Sequence, residues 1–504
     1  MGVLPPASSA SASTTTLDTA AAPSVAKRDS RLDGSSSSSA ASVAGKDDKE
    51  VVQGGLDAIA EGPEVDDVFG AQGDGTVNYR SVGWVWTTII LMKTQIGLGV
   101  LTIPSAFHTL GLVPGLIVLC VMAIMTGWTD YEIGIFKINH PQVYSLSDCG
   151  KLMFGRPGSF IFAFATWMYM AMTTGSAFIS ISTAFNAMSL HGACTAVFVV
   201  VAALMTFPLA ALPKLEQLKF LSWIALVAVI SSVLLVTIAI PVGGRPALAP
   251  QEGPWDADFK VVGNPTFAQA MNAISNILFA YSGTPLYLPI ASEMRNPRDF
   301  RKAVVCSQTI MTCFYIVVGC VVYRYAGQYV ANPALGTAGV LIKRIAYGIG
   351  LPGLLFTSVI YNHLAGKYIF VRVLRGSKHL NHSTPTHWLV WFACIFGCLM
   401  FSYIVASAIP VFGGLVGLVA SCFGTAMALH AEAFMWLYDI RDAFKVKEKR
   451  TLLLWCGVIG NVIILGIASF LLVGGTYGSV LSIRDEYAAS GGRPWSCADN
   501  SGLV

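Results

Sequence analysis

The hydrophobic residues of this chain fall into long unbroken runs, not into the short alternating patterns of soluble domains. From Gly83 onward, apolar segments of about 18 residues or more alternate with short polar loops. At about 1.5 Å per residue, each segment can cross a bilayer core of about 30 Å as a helix, which also satisfies its backbone groups. The pattern predicts an all-α polytopic membrane protein with eleven transmembrane helices, at roughly 84–107, 112–136, 159–187, 194–212, 220–242, 266–291, 303–326, 345–370, 388–409, 412–437 and 451–475.

Composition supports this prediction. Hydrophobic residues make up 54% of the 504 residues and charged residues 12%, about half the usual charged fraction of about 25%. The net charge of +4 is small and the basic residues lie in short loops, which argues against a nucleic-acid partner. Eleven cysteines are too few for a disulfide scaffold. Cys306, Cys313 and Cys320 recur inside one apolar run and are interpreted as small buried hydrophobes.

The chain ends differ from the apolar region. Residues 1–80 are rich in Ser, Thr, Ala and Gly and lack apolar periodicity, which predicts a disordered tail. We therefore expect three parts, namely a cytosolic N-terminal tail at 1–80, a transmembrane domain at 81–478 and a short extracytosolic C-terminal tail at 479–504.

Basic residues divide unequally between the two sides of the membrane. If the N-terminal tail is cytosolic, the five inward loops carry seventeen lysines and arginines, and the outward side carries seven. Because cytosolic loops are enriched in basic residues, this division predicts a cytosolic N-terminus and, with eleven helices, an outward C-terminus.

Two of the apolar segments are interrupted at corresponding places. The first contains Gly97, Gly99 and Pro104, and the sixth contains Gly283 and Pro285. Glycine costs about 1 kcal/mol inside a helix, and proline removes a backbone hydrogen bond. Paired interruptions of this kind indicate an inverted-repeat transporter with its binding site at the breaks. The alternative is that glycine and proline serve only close helix packing.

The chemistry of the breaks suits an amino acid. Freed N–H groups and the positive end of a half-helix bind a carboxylate, while freed carbonyls and hydroxyls bind an ammonium group. Glycine lets the substrate approach the backbone. The candidate substrate-binding residues are Thr94, Ile96, Gly97, Leu98, Gly99, Phe279, Ala280, Tyr281, Ser282 and Gly283.

Two stretches carry a family resemblance, namely Lys93-x-x-Ile96-Gly97-x-Gly99-x-Leu101-x-x-Pro104 and Glu293-Met294-Arg295-Asn296-Pro297. They resemble the amino acid/auxin permease (AAAP) family, and most closely its fungal neutral amino acid permeases. The resemblance extends over residues 80–475. It implies a LeuT-like fold, with a five-plus-five inverted repeat plus one extra helix, and coupled transport of amino acids.

Lys93 bears on the coupling ion. The resemblance implies that sodium-coupled relatives carry an asparagine four residues before the first glycine of the break, where proton-coupled relatives tend to carry lysine. A lysine within the membrane costs about 3 kcal/mol or more and is a functional candidate by default. Its ammonium would fill the space of a sodium ion and exchange protons, with Glu432 as a candidate partner. Alternatively, Lys93 reaches the interface or rests on helix C-terminal carbonyls as a permanent charge.

Other polar residues are weaker candidates. Tyr169 and Thr173 in the third segment either line the site or form a packing stripe. His430, next to Glu432, either takes part in a proton relay or pairs at a gate. The sequence contains no metal-binding spacing, no phosphate-binding loop and no catalytic grouping, so neither a metal, a cofactor nor an enzymatic activity is expected.

The sequence therefore predicts a multi-pass membrane protein that imports neutral amino acids by proton symport, in the plasma membrane rather than the vacuolar membrane. A carrier of purines or polyamines on the same fold remains an alternative, although a polyamine would call for acidic residues that both breaks lack. A nutrient receptor or channel is the other alternative, and accumulation of substrate against its gradient would exclude it.

Overall fold

A computed structural model gives the three-dimensional structure of the chain. It describes residues 65–66, 70–71, 82–212, 219–243, 245–375, 377, 379, 384–441, 451–490 and 494–501. Most of the predicted N-terminal tail, the basic cluster at 442–450 and Arg493 lie outside the described residues. Two short strands, β1 (Val65–Asp66) and β2 (Gly70–Ala71), pair antiparallel at the end of that tail.

The remaining described elements are helical. They are α1 (Trp84–Gln95), α2 (Ile103–Leu110), α3 (Leu112–Asn139), α4 (Leu146–Ser189), α5 (Thr195–Ala210), α6 (Lys219–Gly243), α7 (Phe267–Tyr281), α8 (Tyr287–Ser292), α9 (Phe300–Ala326), α10 (Val340–Val373), α11 (Pro385–Ala408), α12 (Phe412–Val419), α13 (Glu432–Ile440) and α14 (Leu452–Ser490).

Length and apolar surface confirm a helical membrane protein. Among the described residues, seven helical stretches are long and apolar enough to cross a membrane, and the bent pair α1–α2 makes an eighth. Large apolar side chains such as Ile124 and Phe160 are each 73% exposed. Such exposure suits lipid and not water. The prediction of eleven crossings stays a prediction.

The two predicted breaks are present in the backbone. Helix α1 ends at Gln95 because Ile96 is extended (φ −70°, ψ 115°), and the chain bends by 48° before α2. Pro104 lies in the first turn of α2, where its missing N–H costs no helical hydrogen bond. In the second break, α7 ends at Tyr281 and a 3₁₀ turn, Thr284–Leu286, leads into α8. The glycine and proline pattern therefore predicted both interruptions.

Three features of the helices depart from the predicted segments. Helix α4 begins at Leu146 with a capping box made by Ser145 and Asp148, and Gly155 interrupts it (φ 71°). The predicted loop between the second and third segments is therefore largely helical. Helix α14 continues to Ser490, well beyond the predicted end. The interpretation of three buried cysteines was wrong, because Cys313 is exposed and the other two are half-buried. Their seven-residue spacing places them on an outer face of α9.

The described C-terminal segment, residues 494–501, is attached to the helices. Cys497 forms a disulfide with Cys194, the residue before α5. The ammonium of Lys343, in the first turn of α10, donates a hydrogen bond to the carbonyl of Ser501. These contacts join the segment to the ends of α5 and α10. The amino-acid composition gave no indication of the disulfide.

Helices α12 and α13 are joined by a stretch that is helical but mostly π-helical. Residues Ala420–Gly424 and Ala426–Ala431 form π-helical turns. π-Helical turns occur frequently at functional sites. They end directly before Glu432, and Gly424 lies where an added Cβ would be 3.0 Å from the hydroxyl of Ser282. The π-helical stretch therefore packs against the second break.

Candidate functional site

A cavity of about 810 Å³ begins at the first break and opens at one end of the helices. Its volume is in the range of small-molecule sites. Side chains of α1, α4, α7 and α10 line its deep part, and those at its mouth include Tyr144, Ser145, Asp148, Lys151, Glu293, Lys367, Arg372 and Arg375. Charged groups are therefore concentrated at the mouth. At the break itself, the charged residue that lines the cavity is Lys93.

The first break presents free backbone donors. In the part of the chain that the structure describes, the N–H groups of Gly97 and Leu98 donate no hydrogen bond. Both residues line the cavity. A Cβ on Gly97 would meet only Thr357, with its hydroxyl oxygen 3.5 Å away, so that this glycine borders open space. Unpaired N–H groups beside a cavity have the chemistry to donate hydrogen bonds to an anion.

Gly99 has a different environment. A Cβ at this position would lie 2.4 Å from the Cα of Ala280, a distance shorter than real Cβ atoms show to a neighbouring heavy atom. Beside it, the hydroxyl of Thr102 donates to the carbonyl oxygens of Gly99 (2.8 Å) and Asn276 (3.2 Å). Gly99 therefore permits the close approach of the two broken helices, in addition to lining the cavity.

The carbonyl groups of the second break have donors within the protein. The hydroxyl of Tyr315 donates to the carbonyl of Ala280 (3.1 Å), and that of Tyr169 donates to the carbonyl of Ser282 (2.6 Å). The N–H of Gly283 donates to the carbonyl of Tyr281 (2.9 Å). Among the predicted substrate residues of this break, Phe279 lines the cavity, while Ala280, Tyr281, Ser282 and Gly283 are not among its lining residues.

The predicted wall residues Tyr169 and Thr173 do line the cavity. Tyr169 packs against Phe279, with ring centroids 6.0 Å apart, and against Tyr361 at 6.2 Å. The buried hydroxyl oxygen of Thr173 has no hydrogen-bond partner among the described residues. Because a buried unpaired hydroxyl costs free energy, a substrate group is a reasonable partner for it.

Lys93 extends into the cavity toward α10. Its Nζ lies 4.8 Å from the ring centroid of Phe356, a cation–π contact. In the described part of the chain it forms no ion pair. Glu432 lies elsewhere, beside Asp130 of α3, so that the two predicted coupling residues do not contact each other. The aromatic and hydroxyl groups that α10 supplies, from Phe356, Thr357 and Tyr361, carried no signal in the sequence that distinguished them from packing residues.

His430 lies away from the cavity. Its Nδ1 is 2.9 Å from the carbonyl of Thr425 and its Nε2 is 3.2 Å from the hydroxyl of Ser469 on α14. The imidazole therefore links the π-helical stretch to α14, and the predicted wall or gate role of His430 has no counterpart among the cavity-lining residues.

One group at the mouth has a displaced pKa. Burial, together with the nearby charge of Glu293, raises the pKa of the Tyr144 phenol to about 12. Tyr144 lies in the loop between α3 and α4. The phenol therefore stays protonated and neutral in the physiological range.

Comparison with known proteins gives a family for the chain. Residues 80–481 match the family described as transmembrane amino acid transporter protein. A transmembrane transporter of Gibberella moniliformis is 32% identical over 439 residues, covering 87% of this chain and 92% of that protein. The N amino acid transport system protein of Neurospora crassa is 31% identical over 434 residues, covering 84% and 90%. Among solved structures, the inward-facing conformation of Mhp1 has a TM-score of 0.46 at 11% identity, covering 82% of this chain and 93% of that one.

The family match covers most of the chain, including both breaks and every element that lines the cavity. It confirms the resemblance predicted from the two sequence stretches, and with it the prediction of a transporter and not an enzyme. The chain belongs to the transmembrane amino acid transporter family.

Proposed function

We propose that the protein is a secondary active transporter that imports neutral amino acids by proton symport with alternating access. The observation that carries the proposal is the cavity that begins at the first break, where the N–H groups of Gly97 and Leu98 are free. The name of the Neurospora crassa relative, an amino acid transport system protein, supports the substrate class.

The break would bind the backbone part of an amino acid. The free N–H groups of Gly97 and Leu98, with the ammonium of Lys93 in the same wall, suit a carboxylate. The unpaired hydroxyl oxygen of Thr173 suits the ammonium group. Phe279, Ile96 and the rings around them suit an apolar side chain. Thr94 donates its hydroxyl to the carbonyl of Leu91 (2.7 Å) and shapes the end of α1.

Neutral substrates are favoured by charge. Lys93 is the charged residue among the cavity-lining residues of the broken helix α1. A cationic side chain would meet this ammonium without a nearby carboxylate, while the free N–H groups already serve one carboxylate. A cationic side chain is therefore repelled, which favours substrates that lack one.

We further propose eleven crossings with an inverted repeat and a cytosolic N-terminus. The two breaks in corresponding helices support the repeat. Seventeen basic residues against seven support the orientation. The Cys194–Cys497 disulfide supports it independently, because both cysteines lie on the side assigned to the outside, where disulfides persist.

With this orientation the cavity opens to the cytosol, since its mouth includes the α3–α4 loop and the end of α10. The opposite side is closed where Gly99 meets Ala280 and where the N–H of Gly263 donates to the carbonyl of Leu110 (2.9 Å). We propose that this is an inward-open state, and that the protein resides in the plasma membrane.

For coupling, we propose separate tasks for Lys93 and Glu432. Lys93 supplies a fixed positive charge at the break, and an added sodium ion would meet repulsion there. Glu432, fully buried beside Asp130, exchanges the proton.

Uptake into proteoliposomes tests the proposal. Labelled leucine should accumulate against its gradient, and unlabelled alanine, leucine or phenylalanine should compete with it. Lysine, glutamate, spermidine and adenine should compete weakly. Equal competition by lysine and leucine would contradict the neutral specificity, and equilibration without accumulation would favour a channel.

A further inference from the structure

Two acidic side chains meet deep in the protein, outside the substrate cavity. Asp130 of α3 is 1% exposed and Glu432, at the start of α13, is 0% exposed. The Glu432 carboxyl lies beside that of Asp130 and next to the hydroxyl groups of Thr129 and Thr284. Residues 130 and 432 are far apart in the sequence, so only the fold brings them together. Neither residue lines the cavity.

Most of the carboxyl oxygens of this pair lack a hydrogen-bond donor. Among the described residues, both carboxyl oxygens of Glu432 and Oδ2 of Asp130 have no donor. The nearby hydroxyl protons do not serve these three oxygens, because Thr129 donates to the carbonyl of Ala428 (2.8 Å) and Thr284 donates to Oδ1 of Asp130 (3.4 Å). If both carboxyl groups were ionised, the two charges would repel each other, and three of their four oxygens would be buried without a donor among the described residues. A proton held between them removes both costs.

The charged groups on surrounding elements do not provide an alternative partner. The titratable groups that face the pair are the phenol of Tyr287 on α8 and the thiol of Cys149 on α4. Neither carboxyl forms an ion pair within the described part of the chain. On α3 itself, Glu132 interacts with Arg301 and Asp439 instead.

Three basic side chains on α1, on α3 and in the π-helical stretch are directed to other groups. Lys137 of α3 donates to the carbonyl of Val143 (2.6 Å), and Lys93 lies against the ring of Phe356. His430, in the π-helical stretch before α13, contacts Ser469 of α14. The pair therefore lies in a pocket of the protein where a proton is the simplest counter-charge.

We propose that Asp130 and Glu432 form the proton-binding site of the transport cycle. One proton binds between the two carboxyl groups, converts one carboxylate into a carboxylic acid, and gives the other a hydrogen-bond donor. The same proton leaves on the other side of the membrane and restores the carboxylate. This inference rests on the proposed proton symport and names the site where the proton is carried.

The position of the pair explains how its charge would reach the substrate site. Asp130 accepts the hydrogen bond from Thr284, the first residue of the 3₁₀ turn in the second break. The phenol of Tyr287 interacts electrostatically with both carboxyl groups. It accepts a hydrogen bond from the side-chain amide of Gln95 (2.7 Å) at the end of α1. The second break is therefore connected to the pair by the hydrogen bond of Thr284, and the end of α1 is connected to it through Tyr287, which interacts with both carboxyl groups electrostatically.

The π-helical stretch provides a second connection. It ends at Glu432 and packs through Gly424 against Ser282 of the second break. When the proton leaves, repulsion between the carboxylates pushes α3 and α13 apart, and the break between them changes its packing.

The test compares Glu432→Gln and Asp130→Asn in proteoliposomes loaded with a pH-sensitive dye, using a labelled mixture of alanine, leucine and phenylalanine. Exchange of label at equal pH should stay within about threefold of wild type, because the amides mimic the protonated carboxyl. Accumulation driven by an alkaline interior, and proton entry evoked by substrate, should fall about tenfold or more. Uptake should lose its dependence on external pH.

Glu132→Gln is the matched control, since it makes the same chemical change on α3 without facing Glu432, and it should retain proton entry. If both amide variants retain substrate-evoked proton entry at the control level, the proposal is wrong. If they lose exchange as well, Glu432→Asp and Asp130→Glu decide, because a proton site keeps some proton-driven uptake with a shorter or longer carboxyl and a packing role does not. Wild-type protein without pH-driven accumulation would instead overturn the proposed symport itself.

Discussion

At the residue scale, the two glycines of the first break have separate tasks. Gly97 borders open cavity, and its nearest side chain is Thr357 at 3.5 Å, whereas Gly99 contacts the backbone of Ala280. We expect Gly97→Ala to keep normal abundance and melting temperature while its KM for uptake rises about tenfold, because the methyl group enters the substrate space. Gly99→Ala should instead lower the melting temperature, because the helices must separate.

Measurements of uptake kinetics and of thermal unfolding in detergent would separate these effects. Gly460→Ala, on α14 where an added Cβ meets nothing within 4 Å, is the matched control and should change neither quantity. A loss of stability in Gly97→Ala together with normal KM would contradict the assignment of this glycine to the substrate site.

Lys93 is expected to act as a fixed charge. Its ammonium lies over Phe356 in the cavity wall. Lys93→Met should weaken uptake about tenfold at every pH, since it removes a cation near the substrate carboxylate, but the rise of uptake on acidification should persist. Lys151→Met, at the exposed mouth, serves as the control. A Lys93→Met variant with normal affinity and no pH response would show that Lys93 carries the transported proton.

At the element scale, the C-terminal segment is fixed to the helices by the Cys194–Cys497 bond. Cys497→Ser, or a reductant, should lower the free energy of unfolding by about 2 kcal/mol or more, because the bond closes a long loop. Thermal unfolding with and without reductant would measure this. Cys456→Ser, which removes an exposed free cysteine, should have no effect. An unchanged melting temperature in Cys497→Ser would show that the segment contributes nothing to stability.

The sequence predicted those elements that depend on local residues. Gly97 and Gly99 in one apolar run, and Gly283 and Pro285 in another, place helix-breaking residues close together, so both breaks followed from the pattern. The contacts between elements could not be predicted this way. Nothing local to Asp130 indicates Glu432, and nothing in an apolar run marks Tyr315 as the donor to a broken helix. The candidate site was therefore predicted on its α1 side and largely missed on its α10 side.

At the scale of the whole molecule, orientation determines to which side of the membrane the cavity opens. A membrane-impermeant maleimide added outside intact cells should label Gln251→Cys, because this residue is exposed in the loop before α7. It should not label Arg298→Cys, which is exposed in the loop before α9. Chains without these engineered cysteines give the background. Labelling of Arg298→Cys alone would reverse the assigned orientation and place the cavity mouth outside the cytosol.

The coupling ion is the central claim for the whole transporter, and a gradient experiment in proteoliposomes tests it most directly. Labelled leucine uptake is followed with an interior more alkaline than the outside, with and without a protonophore, and with choline replacing sodium. We predict accumulation that rises as external pH falls from about 7.5 to about 5, because protonation of a carboxyl site precedes substrate entry. The protonophore should abolish it and choline should not change it. Accumulation that follows the sodium gradient and resists the protonophore would contradict proton symport.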